Sequence, residues 1–233
     1  MMLDLSVVFG TFNRLRYLRP CVQSVRQACH GLTYELIIVD GGSTDGTLEY
    51  LREQPEVKLI EHGELRGCVS AYNDGFHAAS GRFVAYLNDD LTVRKDTLKA
   101  ACDLLDSDPN TGIVALRYSN NGGGMTLGFT ALAHGRYPFA SFGVVRRELG
   151  DLAGWFDGYY HYFGDCHLSL SLRDMGYQLA VLGDTYGVDH FGADNSVRGS
   201  NRWQTKEPAG ELSKQDGAIY RERWYEWRGP KNG

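Results

Sequence analysis

Phe83, Val84, Ala85, Tyr86 and Leu87 form an unbroken apolar run that stops at Asn88-Asp89-Asp90. A short run without polar alternation marks a strand covered on both faces, as in a largely parallel sheet between helices. The two carboxylates then fall at the strand's C-terminal edge, where open α/β sheets bind ligands. Adjacent acids repel one another, so a positive group is expected beside them, and their oxygen donors suit Mg2+ or Mn2+. Taken alone, the pair reads equally well as a solvated acidic loop.

The preceding chain supplies the partners such a strand needs. Residues 3–9 and 34–40 are apolar strands, the second ending in Asp40, and residues 57–60 are a shorter one. A helix of about 12 residues is predicted from near Leu18, with Pro20 in its first turn and Leu18, Val22 and Val25 on its apolar face. Gly41-Gly42-Ser43-Thr44-Asp45-Gly46 makes a tight turn into the next helix, with Ser43, Thr44 and Asp45 as candidate N-caps. It lacks the lysine of a P-loop, so as a phosphate cradle it is a weak signal. A helix over 68–79 ends with Gly81 as its C-cap. Strands and helices alternating in this way predict a doubly wound α/β domain with a mostly parallel sheet.

Helix 95–106 and strand 113–118 continue the pattern until Asn120-Asn121-Gly122-Gly123-Gly124 breaks it. That stretch reads as a mobile loop near the sheet's edge, either a lid or a plain connector. The remainder is less regular. Strand 140–146, the aromatic loop 155–163, a helix from Cys166 ended by Gly176, strand 177–182 and a polar segment 188–196 follow in order. Residues 197–216 read as polar and flexible. The aromatic, charged tail 220–228 reads as a terminal helix packing back on the domain, with contact to a membrane surface as the alternative.

A chain of 233 residues suits one domain with a real core. Its net charge of −5 argues against broad nucleic-acid binding. No apolar run reaches bilayer-spanning length, and no basic segment with a cleavage site precedes the first strand, so a cytoplasmic location is expected. The five cysteines are scattered without metal-site spacing and read as reduced thiols.

Several stretches, in order, resemble the family 2 glycosyltransferases of GT-A fold. Residues 6–14 look like the opening strand and nucleotide-contacting turn, and residues 38–47 resemble the segment whose acid contacts base or ribose. Gly67, Ala71, Asn73, Gly75, Ala79 and Gly81 fit the helix that precedes the metal strand, and Leu87-Asn88-Asp89-Asp90 looks like the D-x-D element. Residues 163–170 resemble the catalytic-base segment, and His190 with Gly192 and Ser196 is similar to the late metal-site histidine. Asn88 replaces the first acid of D-x-D, Gly41 stands where many members carry a second acid, and Gly164 and His167 replace acids around the base.

The resemblance implies one GT-A domain over 1–233. Residues 1–118 would bind the nucleotide-sugar, 119–196 would hold acceptor and base, and 197–233 would form a flexible segment and terminal helix. It implies Asp165 as catalytic base, with Thr11, Asn13, Arg14, Asp40, Ser43, Asn73, Asn88 and Asp89 on the donor. Asp90 and His190 would be ligands of Mn2+ or Mg2+, and Trp155 and Asp157 acceptor contacts. The implied donor is a UDP-, dTDP- or GDP-sugar. The acceptor is a glycan or lipid-linked saccharide, with peripheral membrane association as a corollary and no nucleic acid involved. Two other readings stay open: a nucleotidyltransferase of related fold, and a non-catalytic module that holds nucleotide or glycan.

Overall fold

Four of the predicted apolar runs meet side by side in the computed structural model, which describes residues 2–191 and 209–230. Strands β1 (Leu5–Thr11), β2 (Tyr34–Asp40), β3 (Val57–Glu61) and β4 (Phe83–Tyr86) pair in parallel, with β1 between β2 and β4. Beyond β4 the sheet continues through β10 (Gly143–Arg146), β6 (Thr111–Ala115) and β11 (Gln178–Val181). The full order is β11-β6-β10-β4-β1-β2-β3, and only β10 runs antiparallel to its neighbours. The doubly wound, mostly parallel architecture expected from the sequence is therefore the one observed.

The period-2 geometry of a strand sends successive side chains to opposite faces, and each face here has its own core. Leu5, Val7, Phe9, Leu36, Ile38, Phe83 and Ala85 pack on one face against α1 (Leu15–Ala28) and α4 (Thr97–Ser107). Val8, Ile37, Val84 and Tyr86 face α3 (Cys68–Ala78), α5 (Arg147–Ala153) and α6 (Gly164–Asp174) on the other. The short α2 (Thr47–Arg52) adds Leu51 to the first core. A fully buried Val, Leu or Phe contributes roughly 1.5–3 kcal/mol, so a charge at Val8 or Ile37 would undo the layer. Among the described residues, no helix is long and apolar enough to cross a membrane, and all five cysteines are free.

The structure corrects several boundaries. Helix α1 starts at Leu15, so Pro20 is its sixth residue rather than a first-turn residue. Its missing N–H leaves the Arg16 carbonyl without a helical partner on an exposed turn, where water can serve. Gly81 is no helix cap: α3 ends at Ala78 with Ala79 extended, and a Cβ on Gly81 would stand 2.6 Å from Ser6 N. Its bare backbone lets the chain cross beside β1. Strand 113–118 is two elements, because after β6 the chain leaves the sheet and forms β7 (Tyr118–Asn120) in a separate layer.

That smaller sheet has the order β5-β12-β7, with β5 (Leu91–Val93) and β12 (Val188–His190). The segment read as merely polar thus begins with a strand, whose Asp189 is held by Arg94 (3.0 Å) and Ser119 (2.6 Å). Residues 128–139 form an unforeseen hairpin, β8 (Gly128–Leu132) and β9 (Gly135–Phe139). The terminal helix, α7 (Ala209–Trp224 in chain order), starts well before the aromatic tail and packs on α6. Gly192, Ser196 and the rest of the segment read as flexible up to residue 208 lie outside the described residues.

Candidate active site

Asp89 and Asp90 sit just beyond β4 and are buried, at 5% and 4% exposure. Carboxylates at that depth require donors. Thr11, the last residue of neighbouring β1, gives its hydroxyl to Asp89 Oδ2 at 2.7 Å. Arg14, immediately ahead of α1, places Nη1 3.2 Å from Asp89 Oδ1 and 2.6 Å from Asp90 Oδ2. A positive group expected beside the acid pair is therefore supplied by the chain itself. Burial pushes the Asp89 carboxyl up to about 6 against the pull of Arg14. For Asp90 burial acts the same way, but His190 and Arg14 outweigh it and hold the carboxyl below its ordinary value.

His190 reaches Asp90 because β12 pairs with β5, which directly follows the acid pair, with His190 opposite Leu91. On its other side β12 pairs with β7, and Asn120 Oδ1 lies 3.0 Å from His190 Nδ1. On the same ring, Nε2 stands 3.1 Å from Asp90 Oδ1, an ion pair when the imidazole is protonated. Asp90 Oδ1 is buried and receives no hydrogen bond. The pair is bridged by a proton on the imidazole or, in its place, by a cation. Two ligands each about 2.1 Å from one octahedral Mg2+ or Mn2+ stand roughly 3.0 Å apart, which fits this pair. Among the described residues no third His, Cys, Asp or Glu joins them. The remaining ligands would have to be phosphate oxygens and water, as is usual for such ions.

The proposed donor side is organised by Asp40, which is fully buried. Its Oδ1 accepts from Gly42 N and Ser43 N, both at 2.8 Å, and its Oδ2 from Ser43 Oγ at 2.5 Å. The carboxylate thus builds the 41–43 turn. Asn13, in the left-handed region at φ 52°, takes Ser43 Oγ on its N–H and Thr44 N on its side-chain oxygen, tying the β1 and β2 turns together. Asp45 accepts from Thr47 N and Leu15 N, so of the three candidate caps it is the one bonded to α2. Asn73 stands apart from this group: it donates to Asp157 (3.0 Å) and accepts from Phe156 N (3.3 Å), clasping the aromatic loop to α3.

A pocket of about 230 Å³ opens where α3, the end of β4 and the start of α6 meet. Asn88, Tyr72, Phe142, Phe156, His161 and Asp165 are among its walls. Asp165 lies in the first turn of α6 and accepts from Cys166 N at 2.8 Å. Burial raises its carboxyl to about 6, a useful range for a base working near neutrality. The Tyr72 hydroxyl stands 2.6 Å from Leu87 O and 2.8 Å from Asn88 Oδ1, fixing the amide at the pocket floor. Phe142 links the pocket to the acid pair, since its ring is 5.5 Å from that of His190. Trp155, by contrast, turns into the core, stacked 4.3 Å from Phe76 and bonded to Asp151, away from the pocket walls.

The model of the glycosyl transferase family 2 matches residues 6–156. The chain belongs to that family.

Glycosyltransferase AglE of Haloferax volcanii is 25% identical over 207 residues, covering 78% of this chain and 65% of AglE. Succinoglycan biosynthesis protein ExoO of Rhizobium meliloti is 34% identical over 106 residues, covering 45% of this chain and 30% of ExoO. The chain thus spans less than two thirds of either relative. Among solved structures, S. aureus TarS 1-349 superposes with TM-score 0.66 at 18% identity, over 84% of this chain and 62% of that one. Mannosyltransferase PcManGT from Pyrobaculum calidifontis, in complex with GDP-Man and Mn2+, superposes with TM-score 0.65 at 21% identity, over 88% and 60%. At these identities the likeness establishes the fold.

In this family 2 chain the sequence reading missed Asn120 and Tyr72. Asn120 was visible only as the start of a glycine-rich loop, and its role depends on a strand pairing across 70 residues. Tyr72 lies among the buried residues of α3, where an aromatic usually means core.

Proposed function

We propose that the chain is an inverting, metal-assisted glycosyltransferase that moves a sugar from a nucleoside-diphosphate donor to a hydroxyl of a glycan or lipid-linked saccharide. One observation carries the reading: a single pocket has Asn88, next to the acid pair, on one wall and the half-buried carboxylate of Asp165 on another. The turns around Asn13, Asp40 and Ser43 form the nucleotide side, and PcManGT and TarS, solved with GDP-Man and UDP-GlcNAc, make a nucleotide-sugar the natural donor. Asp90 and His190 would hold Mg2+ or Mn2+, which when bound supplies Lewis-acid neutralisation of the diphosphate leaving group. Asp165 takes the acceptor's proton as its oxygen bonds to the anomeric carbon and the bond to the diphosphate breaks. A base of this kind contributes roughly 10²–10⁴-fold. One base opposite the leaving group gives direct displacement, hence inversion, with no covalent intermediate.

The test is thermal stabilisation by UDP, dTDP, GDP and CDP, each with and without Mn2+. A nucleotide at 100 times its Kd adds about 2.7 kcal/mol to the folded state. The reading expects one nucleotide to act, and to act more strongly with Mn2+. Its sugar conjugate should then yield product of inverted anomeric configuration. Stabilisation by none of them in either condition would overturn the reading, and retained configuration would overturn its single-displacement step.

A further inference from the structure

Asp216 lies on α7, outside the segment that the family model matches, and is fully buried. It is used neither by the acid pair nor by the pocket walls. Its Oδ1 accepts from Tyr160 N at 3.0 Å, and its Oδ2 accepts from His161 N and Tyr162 N, both at 2.8 Å. A carboxylate buried to this extent is costly unless it is hydrogen-bonded, and three charge-assisted bonds from successive amides meet that need. The reverse also holds. Three consecutive N–H groups aimed at one carboxylate have little freedom left in φ and ψ.

The amides so fixed belong to the segment just ahead of Asp165, and His161, Tyr162 and Phe163 all line the pocket. α7 grips the same segment a second time, because Tyr220 stacks on Phe163 with ring centroids 4.9 Å apart. Tyr220 also reaches Thr130 on the β8–β9 hairpin at 2.5 Å. A third tie runs to α6 itself, where Trp224 Nε1 donates to His167 Nδ1 at 3.0 Å, two residues beyond Asp165.

We propose that Asp216 is a positioning residue: from the C-terminal helix it holds the backbone of 160–162 so that this segment shapes the acceptor side of the pocket and presents Asp165. The proposal rests on the glycosyltransferase reading of that pocket. It makes α7 part of the machinery rather than a cover for the core.

Two variants test it. Asp216→Asn keeps the size and one acceptor oxygen, and Asp216→Ala removes both oxygens, so the asparagine variant remains informative if the alanine variant does not fold. Amide hydrogen exchange is read along the chain. Turnover is measured by hydrolysis of UDP-glucose, UDP-GlcNAc or GDP-mannose, whichever the wild type consumes, with water as the smallest acceptor. The expectation is exchange at least tenfold faster at 160–162, kcat lowered tenfold or more, and donor KM changed by less than twofold. Unchanged exchange at 160–162 would overturn the contact's role. Faster exchange with unaltered kcat would overturn its link to catalysis. Uniformly faster exchange with loss of nucleotide stabilisation would make Asp216 a general element of the fold. If none of UDP, dTDP, GDP and CDP stabilises the wild type, the glycosyltransferase reading fails instead, and exchange alone decides whether Asp216 holds the loop.

Discussion

Arg14 and Asp90 form an ion pair of 2.6 Å on Oδ2, the carboxylate oxygen opposite the one that faces His190. The two oxygens of one side chain therefore have different fates. Oδ2 is neutralised within the chain, while Oδ1 stays without a donor. A divalent ion approaching Oδ1 and His190 meets a guanidinium charge already bound to the same carboxylate.

Replacing Arg14 by Met should therefore tighten Mn2+ binding in the absence of nucleotide. Removing one positive charge about 6 Å from a divalent ion is worth roughly 1–2 kcal/mol where water screens the pair, or about tenfold in Kd. Free Mn2+ counted by electron paramagnetic resonance checks this directly. Unchanged or weaker affinity would mean that Arg14 does not compete with the ion.

Asp90→Ala should abolish the Mn2+-dependent part of nucleotide stabilisation and leave the metal-free part within about twofold. His190→Ala should retain the metal response but shift its midpoint to higher Mn2+, by about tenfold for one lost neutral ligand. A midpoint identical to the wild type would return His190 to an ordinary hydrogen-bonding histidine. Asn120→Ala should move the midpoint in the same direction by a smaller step, since it orients the ring without facing the ion.

The Gly42 backbone has φ +89°, and a Cβ there would stand 2.7 Å from Gly63 O. Neither problem can be relieved by rotating a side chain. Gly42→Ala should cost about 1–3 kcal/mol of stability, read as a lowered Tm. Because Gly42 N is one of the three donors to Asp40, the variant should also weaken nucleotide stabilisation. A Tm within a degree of the wild type would show that the 41–43 turn relaxes freely.

What could be read in advance follows from the range of the interactions. The buried runs at 34–40 and 83–87 declare themselves because both faces of a parallel sheet are covered, and Asp40 and the acid pair lie where such strands end. The pairing of His190 with Asp90 depends on β12 inserting between β5 and β7, three short strands from distant parts of the chain. No local period announces that. The β8–β9 hairpin carries no such signal either, because its in–out alternation buries Gly128, Thr130 and Leu132 and exposes Phe129 and Ala131, which is not an apolar–polar pattern in the sequence. Trp155 illustrates the converse. Expected as an acceptor contact, its ring instead stacks on Phe76 and is buried in the core.

Asp165 yields the last prediction, in which sign matters as much as size. Its carboxyl is raised to about 6 by burial, against an ordinary value of 3.8, so the folded state binds its proton more tightly than the unfolded chain does. The stability this gives is present below about pH 4 and is lost as pH rises toward 6, above which the buried charge is a burden. Asp165→Asn carries no charge and keeps an oxygen for Cys166 N. Its advantage in unfolding free energy over the wild type should grow between pH 4 and 6 and then level off, at about 1–2 kcal/mol once screening at the pocket mouth is allowed for. Activity should run the other way. A base must be deprotonated, so wild-type kcat/KM should climb with pH through a limb centred near 6, and Asp165→Asn should lose about 10²-fold or more in transfer with nucleotide affinity within twofold. Urea unfolding at several pH values and the pH–rate profile give the two curves independently. A more stable, inactive variant that still binds nucleotide is the signature of a buried base; loss of nucleotide binding together with activity would move Asp165 out of that role.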